Sequence, residues 1–123
     1  MELIAFIFTL LVAIEHVYIM VLEMFFSTSK TAQRTFKVSE ELLNHPKVKT
    51  LFANQGLYNG FLAAGLVWGL FFVPDSFEIS VQVFFLLCVI SAAVFGALTA
   101  NKGILLKQGL PAILALLFIL LSI

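Results

Sequence analysis

Long apolar runs separated by short polar segments dominate this chain. A membrane-crossing helix needs about 20 apolar residues to span about 30 Å of hydrocarbon. Four runs approach that length, over approximately residues 3–26, 51–73, 79–100 and 104–123. The polar segment 27–50 joins the first two runs. This pattern predicts an all-α integral membrane protein, a four-helix antiparallel bundle that forms a single transmembrane domain.

Local signals refine the helix boundaries. Ser39 precedes Glu40-Glu41-Leu42-Leu43, and a Ser side chain can satisfy the first free N–H groups of a helix, so a short capped helix is predicted there. Pro46 suits the first position of the next helix. Pro111 is expected to kink the fourth helix, because proline leaves the carbonyl of residue 107 without its donor. We expect Phe36, Leu42 and Leu43 to insert into the membrane interface.

Composition narrows the class of protein. Hydrophobic residues make up 62% of the 123 residues and charged residues 11%, whereas soluble domains have about 45–50% apolar residues. So few charges cannot cover a soluble surface, which argues against a soluble enzyme, a disulfide scaffold and a disordered chain. The net charge of zero predicts no nucleic-acid partner. The single cysteine, Cys88, excludes an intrachain disulfide.

The basic residues are distributed asymmetrically. All seven lie either between the first and second runs or between the third and fourth: Lys30, Arg34, Lys37, Lys47, Lys49, Lys102 and Lys107. The positive-inside rule places such loops in the cytoplasm. The sequence therefore predicts a multi-pass protein of the inner (plasma) membrane, with both termini outside the cytoplasm and membrane lipids as partners.

Glycines recur at a spacing of four in the second run, as Gly56 with Gly60 and Gly65 with Gly69. Small residues at this spacing allow two helix backbones to approach closely within a membrane. Two interpretations stay open: internal packing of the bundle, or a homo-oligomer formed through a glycine face.

Polar side chains inside the apolar runs require an explanation, because a polar group in hydrocarbon is costly unless it is paired or hydrated. On the predicted topology, most of them fall in the cytoplasmic half of the membrane, and all four helices contribute. They define a hypothetical cavity open to the cytoplasm, with these candidate ligand-binding residues: Glu15, His16, Glu23, Gln55, Tyr58, Asn59, Asn101 and Gln108. The alternative is a polar network that only holds the helices together.

Three strings resemble one known family. They are EHVYIMVLEMF from Glu15, NQGLYNGFLAAGL from Asn54 and QGLPA from Gln108. They are similar to a family of small bacterial four-span membrane proteins classed as domain of unknown function 1304. The resemblance covers essentially the whole chain and implies a fold and a membrane location, with no activity. Phe26-Ser27 stands where many members of the family carry a tryptophan.

Several functions are compatible with these residues. The favoured hypothesis is the binding of a small amphiphilic or lipid-like molecule in the polar cavity. One alternative is a proton-coupled exporter that uses Glu15 as its membrane carboxylate. Another is an intramembrane enzyme in which His16 and a nearby carboxylate perform acid–base chemistry. No soluble-enzyme motif is present, and neither a metal site nor a cofactor is predicted.

Overall fold

Every regular element of the chain is a helix. The computed structural model describes residues 1–123, and its all-α architecture confirms the predicted class. We number its helices in chain order: α1 (Glu2–Phe25), α2 (Lys30–Phe36), α3 (Glu40–Leu43), α4 (Pro46–Phe71), α5 (Asp75–Thr99) and α6 (Leu110–Ser122).

Three helical stretches are long and apolar enough to cross a membrane. They are Glu2–Phe25, Asp75–Thr99 and Leu105–Ser122. With 26 residues, α4 is longer than any of them but is less apolar. The reason is its amino-terminal half, where two lysines are followed by Asn54, Gln55 and Asn59. Three of the four predicted spans are thus supported by both length and composition.

Both short helices begin at a serine cap, of which the sequence predicts the one at Ser39 and not the one at Ser29. The Ser39 hydroxyl accepts the N–H of Leu42 at 3.3 Å and caps α3. Ser29 plays the same part for α2, accepting the N–H of Ala32 at 3.1 Å. Such caps satisfy N–H groups that have no partner within the helix. Helix α4 begins at Pro46, as predicted.

The chain before Pro111 forms a π-helical turn over Leu105–Gly109. The N–H of Leu110 bonds the carbonyl of Leu105, five residues back, where an α-helix would bond four residues back. Proline has no N–H, and its ring crowds the carbonyl four residues before it. The wider turn accommodates this crowding, so the predicted disturbance takes the form of a π-turn.

The chain divides into two compact units. We call Met1–Glu15 with Leu62–Ile123 the terminal unit, and His16–Phe61 the middle unit. The hydrophobic core of the terminal unit receives side chains from all four long helices: Ala5, Val12, Ala13, Leu66, Leu86, Val89, Ala112, Ala115 and Ile119.

The middle unit has a smaller core of Leu22, Ala32 and Leu43. The Phe36 ring lies against Phe52, with ring centroids 5.1 Å apart. The expectation that Leu43 inserts into the membrane interface is therefore wrong, because Leu43 is fully buried inside this unit, and Phe36 is partly buried against the same core. Leu42, the residue before Leu43, is exposed.

Glycines of α4 contact α5 within the terminal unit. A Cβ atom on Gly65 would collide with the Phe85 ring, and one on Gly69 would lie 3.0 Å from Val81 Cγ1. Nearby, the Gln82 amide donates to the Gly69 carbonyl at 3.2 Å. This glycine pair therefore serves internal packing. A homo-oligomer through the glycine faces stays a prediction.

Candidate functional site

Three buried polar residues recur every seventh position along α1. Thr9, His16 and Glu23 have at most 1% of their surface exposed. Residues seven apart lie on the same helix face, two turns from one another. The Thr9 hydroxyl donates to the carbonyl of Ala5 at 2.8 Å, so its polarity is satisfied within the helix. Glu23 has no comparable partner on its own helix.

The carboxylate of Glu23 faces α4 within the middle unit. The Asn59 side-chain N–H donates to Glu23 Oε1 at 2.5 Å. The second carboxylate oxygen, Oε2, is buried and has no hydrogen-bond partner. Nearly all buried polar atoms in proteins have a partner, because leaving one without costs about 1–3 kcal/mol. The Glu23–Asn59 pair is thus half-satisfied.

Two glycines allow α1 and α4 to approach closely enough for this hydrogen bond. A Cβ atom on Gly56 would lie 3.0 Å from Glu23 Cβ and 2.7 Å from Met24 Cγ. One on Gly60 would lie 2.5 Å from the Met20 sulfur. A larger residue at position 56 would force apart the two helices that carry the pair.

A cleft of about 330 Å³ opens in the same unit, on residues from the end of α1 and the start of α4. Its polar lining comes from Ser27, Thr28, Thr50 and Lys49, and its apolar lining from Met24, Phe25 and Ala53. Met24 lines the cleft and also packs beside Gly56. The cleft and the Glu23–Asn59 pair therefore lie along the same α1–α4 contact.

Two of the expected cavity residues lie elsewhere. Tyr58 is 60% exposed, and Gln55 is exposed as well. Helix α4 instead directs Gly56, Asn59 and Ala63 inward, at spacings of three and four. The predicted interior position of Gln55 and Tyr58 is therefore wrong: they occupy the helix face beside the one that contacts α1.

The remaining candidates have separate environments. Glu15 is half-buried in the terminal unit. In that unit too, the Asn101 side chain accepts the N–H of Gly103 at 2.9 Å, which stabilises the turn after α5. Gln108 is half-buried in the π-turn. Of the eight candidates, the structure pairs Glu23 with Asn59.

The spacing of His16 and Glu23 limits their chemistry. Seven residues correspond to a rise of about 10 Å along the helix axis. A proton passes directly between two groups only at hydrogen-bond distance. His16 is buried and makes interactions of its own. The geometry therefore does not support a His16–Glu23 acid–base dyad.

Sequence reasoning missed several polar residues. Thr9 extends the seven-residue spacing of His16 and Glu23, a signal visible in the sequence. Gln82 interrupts the third apolar run and was equally visible. The cleft residues Ser27, Thr28 and Thr50 had no such signal, because hydroxyl residues near helix ends are common in any protein.

The chain is all-helical, and three of its helical stretches are long and apolar enough to span a membrane. These features indicate that it is a membrane protein. The chain belongs to the family described as "Protein of unknown function (DUF1304)", whose model matches residues 10–120. The resemblance seen in the sequence is confirmed.

A bacterial relative is similar over nearly the whole length. The uncharacterized protein YpaA of Lactococcus lactis subsp. lactis (strain IL1403) is 44% identical over 117 residues, which cover 95% of this chain and 97% of the relative. No solved structure matches the chain. The comparisons therefore establish the family and assign no activity.

Proposed function

We propose that this protein is a four-helix antiparallel bundle in which α4 also crosses the membrane. With 26 residues, α4 is about 39 Å long, enough to span the hydrocarbon layer. Its glycines contact α5 in one unit and α1 in the other. Its polar Asn59 is paired with Glu23, which reduces the cost of a polar group in the membrane.

The proposal includes an orientation. All seven basic residues lie in residues 27–50 and 101–109, the two segments that would be cytoplasmic. Glu2, Asp75 and Glu78 lie on the other side of the predicted bundle. The positive-inside rule then directs both termini out of the cytoplasm.

Labelling of single cysteines tests this orientation. In a Cys88→Ser background, a cysteine beside Glu2 and one after Ile123 are expected to react with an impermeant thiol reagent in intact cells. A cysteine at Lys37 is the control and is expected to react only after permeabilisation. If either terminal cysteine also needs permeabilisation, the orientation is wrong.

We further propose that the bundle binds a small amphiphilic or lipid-like molecule at the Glu23–Asn59 pair and the adjoining cleft. The observation that carries this proposal is the buried Oε2 of Glu23, which lacks a partner. A glutamine at this position would accept the same hydrogen bond without a charge. A purely structural role therefore does not explain the carboxylate.

The cleft has the composition of a site for an amphiphile. Its volume lies within the range typical of ligand sites, and it combines an apolar wall with a few polar groups. Met24 and Phe25 would contact the apolar part of the ligand. Lys49 and the three hydroxyls would bind its polar part, and a ligand donor that reached Oε2 would complete the hydrogen bonding of Glu23.

Glu23→Gln separates binding from structure. Wild-type protein extracted gently in a mild detergent is expected to keep a bound molecule that native mass spectrometry detects. Glu23→Gln should lose that molecule while its unfolding temperature stays close to that of the wild type. Glu41→Gln, the same change at an exposed glutamate of the same unit, is the matched control and should keep it.

Two results would contradict the binding proposal. The first is a wild-type protein that carries no bound molecule even after incubation with lipid extract from its own membrane. The second is retention of the molecule by Glu23→Gln at the wild-type level. Either result would mean that the Glu23–Asn59 pair only holds α1 and α4 together.

A further inference from the structure

Helix α2 has one buried face and one cationic face. Ala32 is fully buried and Phe36 packs on Phe52, so α2 is held against the core of the middle unit. Its other face presents Lys30 and Arg34, which are both exposed. Lys37 follows directly at the end of the helix and is exposed too. The charges are thus displayed on an anchored element.

Lys30 occupies a position that disfavours a positive charge, whereas Arg34 lies in the last turn of α2, where the helix dipole favours one. Lys30 lies in the first turn of α2, where the helix dipole favours acidic residues. Lys30 and Arg34 are four apart, and like charges at that spacing repel each other. Neither residue is paired with a carboxylate. The charge of Lys30 therefore opposes the stability of this helix.

Lys37 occupies a position that favours glycine. Its backbone is left-handed, with φ 54° and ψ 46°, and no other non-glycine residue of the chain has a positive φ. Its N–H bonds the Gln33 carbonyl and closes the helix. Glycine is the usual residue here because a Cβ atom is strained in this conformation. The lysine is present in spite of that strain.

The three cations line one groove. It has a volume of about 500 Å³ and is lined by Lys30, Gln33, Arg34, Lys37, Val38 and Ser39. The Ser39 hydroxyl accepts the Leu42 N–H and keeps its own proton for another acceptor. Three cations, an amide and a hydroxyl together match the several oxygens of a phosphate group.

We propose that this groove is a binding site for a phosphate group, separate from the cleft beside Glu23. Lys30 at the start of the helix and Lys37 in a left-handed conformation each oppose local stability, and both lie beside Arg34 on a helix anchored by its other face. An anionic ligand would explain why these cations are placed together. The phosphate group would belong either to a membrane lipid or to a soluble molecule. The orientation proposed above, with residues 27–50 at the cytoplasmic surface, favours a lipid headgroup.

Lys37→Gly makes binding and stability change in opposite directions. Glycine relieves the strain, so the unfolding temperature should rise, whereas the loss of one of three cations should weaken phosphate binding about fivefold. The probes are dioctanoyl phosphatidylglycerol and inorganic pyrophosphate, each titrated into purified protein in a neutral detergent. Lys37→Gln removes the charge but keeps the backbone strain. It should weaken phosphate binding as much as Lys37→Gly does, without raising the unfolding temperature.

The controls distinguish this site from general electrostatics. Lys102→Gln removes an exposed cation of the terminal unit and should leave binding unchanged. Glu23→Gln should leave it unchanged as well, so failure of the cleft proposal would not affect this one. Loss of affinity with added salt is expected for all forms.

The two probes identify the source of the phosphate. If only phosphatidylglycerol binds in a Lys37-dependent way, the groove is a lipid site. If only pyrophosphate does, the ligand is soluble. If both do, the groove is a general phosphate site. Each of these results supports the proposal. Binding of neither probe, equal binding by wild type and Lys37→Gly, or equal weakening by Lys102→Gln would overturn it.

Discussion

The two units of this protein bury different kinds of side chain. The terminal unit has a core of nine apolar residues, and the polar Thr9 and Gln82 near it donate to backbone carbonyls. The middle unit has a core of three apolar residues and buries a carboxylate with one oxygen unpaired. A membrane provides little hydrophobic drive between helices, so close packing and polar pairs must hold them together. Both units combine close packing with a polar contact between helices, but in the terminal unit the Gln82 amide donates to a backbone carbonyl, whereas in the middle unit Asn59 donates to a buried carboxylate.

The cavities of the two units are lined by residues of opposite charge. A cavity of about 340 Å³ in the terminal unit has Glu2 and Glu78 in its lining. The clefts of the middle unit are lined by cations and hydroxyls, among them Lys49 and Arg34. The charged groups that line these cavities are therefore acidic in the terminal unit and basic in the middle unit.

The largest effect is expected from Asn59→Leu in the middle unit. It removes the only donor to Glu23, so both carboxylate oxygens would be buried without partners, at a cost of about 3 kcal/mol. Thermal unfolding in detergent measures this loss. The double variant Glu23→Leu with Asn59→Leu should recover much of it, since no polar group is left unpaired. A single variant as stable as the wild type would show that the pair contributes nothing.

Alanine at the two glycine pairs compares the packing of the units directly. Gly65→Ala should cost about 2 kcal/mol, because the Phe85 ring would have to move within a filled core. Gly60→Ala should cost less than about 1 kcal/mol, because the nearest atom belongs to the flexible end of Met20. The same unfolding assay applies. Equal losses would contradict the idea that the terminal unit is the more rigidly packed.

Gln55→Leu is expected to change almost nothing. Its side chain is exposed, on the α4 face beside the one that carries Asn59. Both the unfolding temperature and the bound molecule should match those of the wild type. A loss of either would show that the exposed face of α4 has a partner, for example a second copy of the chain.

The exporter hypothesis predicts transport that we do not expect to see. Glu15 is half-buried in the terminal unit, whereas the polar pair and the cleft belong to the middle unit. In proteoliposomes, a pH gradient should therefore drive no uptake of tetraphenylphosphonium beyond that of protein-free liposomes. Reproducible uptake that Glu15→Gln abolishes would replace the binding proposal with the exporter.

Part of the candidate site could be predicted from the sequence. Glu23 and Asn59 each stand out as a polar residue in an apolar run, and the resemblance strings contain both. Their pairing with each other could not be derived, because Gln55 and Tyr58 lie within one turn of Asn59 on α4 and were equally eligible partners for Glu23. Which α4 face turns to α1 depends on Gly56, where the absence of a side chain permits contact.

The sequence by itself determined the helical class, the short helix capped by Ser39 and the asymmetry of charge. These follow from apolar run length, from the cap at Ser39, and from the positions of the basic residues, none of which depends on distant contacts. The tertiary structure alone decided that Leu43 lies in a core, that Phe36 packs against that core and that one oxygen of Glu23 lacks a partner. Burial and hydrogen bonding join residues far apart in the chain, and they are set by which helix faces meet.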